Sequence, residues 1–201
     1  MSNPNTPFGF VPLGWNRGGP PVTGATVERK LAAANNAPIV KGDVVQSLSS
    51  GYVALGAASV AGSNTAGIFW GCTYLSTSQG KVVFSQVWPN GDHAYDGKAF
   101  IWPIAGVPAQ LFRVQTLLTN LTIADVGSNI DIDIGSQTIY GGYGKSGMTV
   151  SQALLSTTPT VPFRVVDLYS SYAPSGTPGT DDTSSYNIVI VSSNPDYETG
   201  V

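Results

Sequence analysis

Beyond Pro38, apolar and polar positions mostly alternate with a period of two or form short apolar runs. Clusters of Gly, Pro, Asn and Asp cut the pattern into brief segments. A period of two places alternate side chains on one face of a strand, whereas a helix repeats its apolar positions every three or four residues. Ile39-Val40 and Val44-Val45-Gln46 predict a strand interrupted by a turn or bulge at Gly42-Asp43. Strands over residues 51–55, 67–74 and 81–88 follow at short spacing. The last is rich in β-branched and aromatic residues and is closed by Pro89-Asn90-Gly91-Asp92. Residues 100–102 and 110–115 are further strands, separated by Pro103 and Pro108. Residues 129–134 alternate strictly and predict a strand with one wet face, shared by Asp131 and Asp133. Residues 162–169 form another strand, and the apolar run at 186–191 has the pattern of a strand buried on both faces.

Residues 26–34 have the best helix propensity in the chain, yet Val27, Arg29 and Leu31 alternate, so helix and strand both remain open. Elsewhere helix is confined to about one turn near residues 150–155, and no repeat of fixed period stands out. Many short strands with Gly/Pro turns predict an all-β fold. It is a β-sandwich or β-barrel of short, mostly antiparallel strands.

We divide the chain into an extended N-terminal arm, 1–37, and a β-domain, 38–201. A loop rich in Ser, Thr, Pro and Gly is inserted at about 170–185. The first 24 residues carry Pro4, Pro7, Pro12, Pro20 and Pro21 with five glycines, a composition that favours an extended segment. The same segment holds Phe8, Phe10, Val11, Leu13 and Trp15. Leaving such groups wet forgoes about 1.5–3 kcal/mol each. The arm is therefore expected to dock, on its own domain or on another subunit.

Charge narrows the picture. Charged residues are 10% of the chain, far below the average for soluble proteins, and nine basic residues against twelve acidic ones leave a net charge of −3. That offers no surface for neutralising phosphates, so nucleic acid is not an expected partner. The low net charge and 42% hydrophobic content also argue against disorder. The start of the chain has neither a basic region nor an apolar stretch, so no signal peptide is expected. Residues 44–80 are too polar for a membrane span, and a soluble protein made in a cytoplasm is expected.

Candidate chemistry is sparse. The single cysteine, Cys72, excludes an intrachain disulfide and a cysteine zinc site, and its apolar run Ile68-Phe69-Trp70-Gly71-Cys72 predicts a buried thiol. The only histidine, His93, lies in a turn signature and is expected on the solvated surface. Gly141 to Gly147 ends like a P-loop, but Ile139 stands where that motif needs glycine, and a flexible loop is expected. Asp131 with Asp133, or Asp181 with Asp182, would bind a cation only with further ligands. Asp92, His93 and Asp96 are the one acidic cluster with a histidine, and no GxSxG elbow accompanies them. No catalytic residue, cofactor or metal site is expected.

The order of landmarks carries a resemblance. Asn3-Pro4-Asn5 with Pro7-Phe8-Gly9-Phe10-Val11-Pro12 is followed by Gly24-Ala25-Thr26-Val27 and Gly42-Asp43-Val44-Val45. Later come Leu111-Phe112-Arg113-Val114-Gln115, Ala124-Asp125-Val126-Gly127-Ser128-Asn129 and Pro162-Phe163-Arg164. Together these resemble virion structural proteins of tailed bacteriophages and prophages, the head decoration or cement proteins that bind the outside of the major capsid shell. The resemblance spans most of the chain and implies no catalytic residues. It implies the major capsid protein as partner, location on the outer capsid surface, and a homo-oligomer, trimer ahead of dimer. On this reading Phe8, Phe10, Trp15 and Arg17 contact the shell, and removing residues 2–24 leaves the melting temperature unchanged. Two other readings are a head–tail connector or tail subunit, and a carbohydrate-binding β-sandwich that uses Trp15, Trp70, Trp88 and Trp102 as stacking platforms.

Overall fold

The computed structural model describes residues 2–15, 26–57, 65–104, 110–157, 161–169 and 176–194. Its strands in chain order are β1 (Val11–Trp15), β2 (Val27–Leu31), β3 (Ile39–Val40), β4 (Val44–Ser47), β5 (Tyr52–Leu55) and β6 (Thr65–Leu75). They continue with β7 (Val82–Ser85), β8 (Val87–Trp88), β9 (Gly97–Pro103), β10 (Gln110–Gln115) and β11 (Asn129–Ile130). The last five are β12 (Thr138–Tyr140), β13 (Tyr143–Lys145), β14 (Leu155–Ser156), β15 (Phe163–Leu168) and β16 (Ile188–Ser193). Helix among the described residues is limited to two 3-10 turns, Ile123–Asp125 and Gln152–Leu154. None is long and apolar enough to cross a membrane. The fold is all-β.

Strands β4-β5-β2-β9-β6 form one sheet, and pairing of β4 with β6 closes it into a partial five-stranded barrel. All its pairings are antiparallel except β2 with β5. β6 is long enough to pair β4 with its first part and β7 with its second, while β9 runs along its other edge. A second sheet, ordered β1-β10-β16-β15-β11-β14, is antiparallel throughout.

Two cores result, and the sequence explains both. Leu31, Val45, Val53, Phe69, Cys72, Trp88 and Ile101 fill the barrel. Val44, Ile68 and Trp102, their immediate neighbours, face outward and join Phe112, Val114, Ile130, Phe163, Val189 and Val191 of the second sheet. Consecutive apolar pairs such as Val44-Val45 and Ile68-Phe69 therefore mark strands buried on both faces. β16 meets the same condition, and all six of its residues are buried.

Residues 27–31 are a strand rather than a helix. Leu31 is buried in the barrel, Glu28, Arg29 and Lys30 are exposed, and pairing with β9 overrides the local helix propensity. Residues 129–134 differ from expectation. The strand stops at Ile130, because Asp131 Oδ1 accepts the Ile132 amide (2.8 Å) and takes that donor from any ladder. Asp131 is buried, so the expected wet face is absent.

The described part of the arm lies on the chain's own domain. β1 pairs with β10, and Phe10 is 1% exposed, stacked on Phe163 at 4.7 Å. Asn3 donates to the carbonyls of Asp181 and Ser185, and its own carbonyl accepts from Gly179 and Asp181. Gln115 accepts from the Thr6 amide and donates to Pro4 O. The inserted loop is bound, over 179–185, to Asn3 and to the Asn120 side chain.

Candidate functional site

The residues expected in the arm separate. Phe10 is spent in the core. Phe8 is half-buried and lies over the Arg113 guanidinium at 5.6 Å, with Tyr169 also 5.6 Å from that group. The backbone of Trp15 ends β1 opposite Gln110, but its side chain and the whole of Arg17 lie outside the described residues. Of the two whose side chains are described, Phe10 faces the core and Phe8 keeps part of its ring exposed.

The acidic candidates are structural. Asp92 accepts from the Ser78 amide and from the hydroxyls of Thr77, Ser76 and Ser78, which together hold its carboxyl well below the usual range. It thereby pins the turn between β6 and β7. Asp96 accepts from the Ala33 amide (2.9 Å) and from Tyr52 Oη (2.7 Å), and both hydrogen bonds lower its pKa. His93 is not solvated: it is 8% exposed, with Nε2 donating to Ala33 O at 2.7 Å and its ring tilted by 32° against Trp88, centroids 4.3 Å apart. Asp92 thus turns to residues 76–78, whereas His93 and Asp96 bond the carbonyl and amide of Ala33, and none of these hydrogen bonds joins the three to one another.

Asp181 turns its oxygens to Thr183 and Ser184, and hydrogen bonds led by the Thr183 hydroxyl lower its pKa to about 2. The cleft beside it, of about 380 Å³ between residues 2–4 and 176–182, is lined by Pro, Thr, Ser, Gly and Asn3 together with Asp181 and Asp182. Among the described residues no three His, Cys, Asp or Glu side chains converge as a metal site would require. The Gly-rich segment is the hairpin β12–β13, not a phosphate cradle. A Cβ on Gly144 would stand 2.3 Å from Val40 Cγ1, so glycine there serves close packing.

Cys72 is buried in the barrel with Sγ donating to Val87 O (3.4 Å), and burial pushes its thiol up to about 12. A thiolate is the reactive form. Native protein should therefore resist alkylation by iodoacetamide at pH 8 and react fully in denaturant; rapid native labelling would contradict this placement.

Two features escaped the sequence reading. Asp43 is fully buried where the arm, the barrel and the loops flanking the hairpin meet. Its Oδ2 accepts from the Val40 amide (2.8 Å) and Gln137 Nε2 (2.5 Å). Burial pushes the carboxyl up to about 6, against the hydrogen bonds from Ser146, Val40 and Gln137. The signal was a three-residue connection between buried strands, Lys41-Gly42-Asp43, too short to carry Asp43 to water.

The second feature is a set of exposed apolar side chains. Tyr140 and Tyr143 face each other across the Gly141-Gly142 turn and are 71% and 72% exposed. Ser85 Oγ lies 3.5 Å from Gly142 O, which sets this tip beside β7, where Val82 and Phe84 are 70% and 62% exposed. The Phe84 ring packs against Phe100 at 5.9 Å. Among the described tryptophan side chains none offers a comparable platform: Trp88 and Trp102 are buried, and Trp70 is half-buried under the Lys41 ammonium, 3.6 Å from its ring centroid.

No family model matches the chain, and neither the curated proteins nor the solved structures yield a match.

Proposed function

We propose that the chain is a virion structural protein without enzymatic activity: a head decoration, or cement, protein. It binds the outer surface of the major capsid shell of a tailed phage and stabilises it, and it resides in the host cytoplasm during assembly. The landmarks from Asn3-Pro4-Asn5 to Pro162-Phe163-Arg164 support this reading. The observation that carries a binding role is the exposed Tyr140, Tyr143, Val82 and Phe84, in a molecule whose Asp92 and Asp181 are tied up in its own turns. Aromatic groups left wet are typical anchors for a partner. With Phe10 in the core, these exposed groups replace the arm as the proposed shell contact. Burial of Trp88 and Trp102 weakens the carbohydrate-binding alternative.

The test is binding of purified protein to undecorated capsids, with its copy number measured against the major capsid protein in particles. Saturable binding at high copy number is expected, and Tyr140→Ala with Tyr143→Ala should weaken it roughly thirty-fold, as loss of about 2 kcal/mol implies. A few copies per particle would point to a connector or tail subunit, and no binding would remove the reading.

A further inference from the structure

We propose that the outer edge of β7 pairs with itself, joining two copies of the chain antiparallel, β7 to β7, about a twofold axis. The β6–β7 ladder determines which backbone groups are free. Ser76 N–H donates to Lys81 O at 3.0 Å, and residues along an antiparallel ladder alternate between bonded and non-bonded pairs. With Leu75 opposite Val82, Tyr74 opposite Val83 and Cys72 opposite Ser85, the residues of β7 bonded to β6 are Val83 and Ser85. Val82 and Phe84 therefore aim N–H and C=O away from β6.

Farther along, that side is occupied. β3 pairs with β8, and Lys41 N–H donates to Gln86 O at 2.9 Å. The chain then leaves the edge at Gly42, whose φ of +95° turns it into the barrel, where Gly42 N–H donates to Phe69 O. Among the described residues, none replaces it beside Val82 and Phe84. The edges of the other six-stranded sheet are protected in the usual ways. β1 carries Pro12 and Gly14 with a register shift between them, and β14 is two residues long. β7 has no proline, glycine or charge, and its register with β6 is unbroken.

A second copy fits this edge in register. Centring the pair on Val83 sets Val82 opposite Phe84 of the other copy, and Phe84 opposite its Val82. Both become bonded pairs, about four hydrogen bonds in all. Each also makes a β-branched–aromatic contact on the exposed face. Lys81 meets Ser85, so like charges never face each other. Such an interface is isologous and closes at two, the second of the sizes expected from the sequence. The inference stands on the edge geometry and holds whether or not the chain binds a capsid.

Sedimentation velocity of the full chain, up to its solubility limit, should show monomer passing to dimer. Hydrogen exchange at the Val82 and Phe84 amides should slow in parallel, while Val83 and Ser85 are protected throughout. Val82→Pro removes an outward N–H that β6 does not use, and Phe84→Lys places a charge on the edge. Each should leave the circular dichroism and melting temperature near those of the parent and weaken the dimer at least about tenfold. If Val82→Pro misfolds, Phe84→Lys decides. A chain that stays monomeric, a dimer that survives Phe84→Lys, or fast exchange of both amides in the dimer would overturn the proposal. Slowing of those amides only on adding undecorated capsids would also overturn it, by assigning the edge to a foreign strand.

Discussion

Phe10→Ala should lower the unfolding free energy by about 3–5 kcal/mol, the usual range for emptying a buried phenylalanine site. The ring is stacked on Phe163 within the core between the two sheets, and the Phe10 amide donates to Gly42 O at 2.9 Å. Neighbouring side chains have little room to fill the gap, since Gly9 lies tightly against Gly42 O and Ser146. Typical domains have about 5–15 kcal/mol in total, so this one truncation removes a large share. Deleting residues 2–15 goes further, removing β1 and the Asn3 and Thr6 hydrogen bonds. The truncated chain should melt far below the parent or fail to fold, the reverse of the sequence-based expectation. Urea unfolding followed by tryptophan fluorescence measures both, and an unchanged midpoint for Phe10→Ala would refute the cis placement of the arm.

Stability should fall as pH rises from about 4 to about 7, with Asp43 as the cause. Its folded-state pKa of about 6 lies above the ordinary 3.8. The folded chain thus retains a proton that the unfolded chain has already released. The stabilisation is complete below the unfolded value and is lost as pH rises through the folded one. By linkage the loss amounts to about 3 kcal/mol. Asp92, Asp96 and Asp181 have lowered pKa values and act in the opposite sense, in more acidic solution. The difference between the parent and Asp43→Asn isolates Asp43, because asparagine still accepts from Val40 and Gln137 yet does not titrate. The parent should show the decline in urea midpoints across this range and the variant should not; parallel curves would exclude Asp43.

The strands were legible because tertiary pairing agreed with local pattern. The run at 81–88, the long strand around Phe69 and the buried run near Val189 needed only their own residues to be placed. Legibility ended where burial depends on distant segments. The sequence around His93 is that of a surface turn, yet the ring is covered because Ala33 O and Trp88 arrive from 60 and 5 positions away. Asp131 alternates like a surface residue, but the backbone of Leu154 crosses beside it. The arm's composition was equally compatible with docking in cis and in trans. Only the fit of Phe10 between β15 and the turn at Gly42 selects the first. Exposure of Tyr140 and Tyr143 was hidden for the converse reason, since aromatic residues flanking a Gly-Gly turn pack inward whenever a neighbour covers the tip.

The division into barrel and second sheet sets an order of birth. Every barrel strand, and every residue of the barrel core, falls between Val27 and Pro103, so this half closes around its own contacts while residues 110–194 are still unmade. The other half has no such independence. Its inner strand β16 separates β10 from β15, and Asn3, ahead of its first strand, is tied to a residue 182 positions away. Contacts so distant in sequence form slowly. On the ribosome, the barrel therefore waits with Val44, Ile68 and Trp102 uncovered on its outer wall. Segments with exposed apolar walls aggregate when crowded. The arm, synthesised first, docks last.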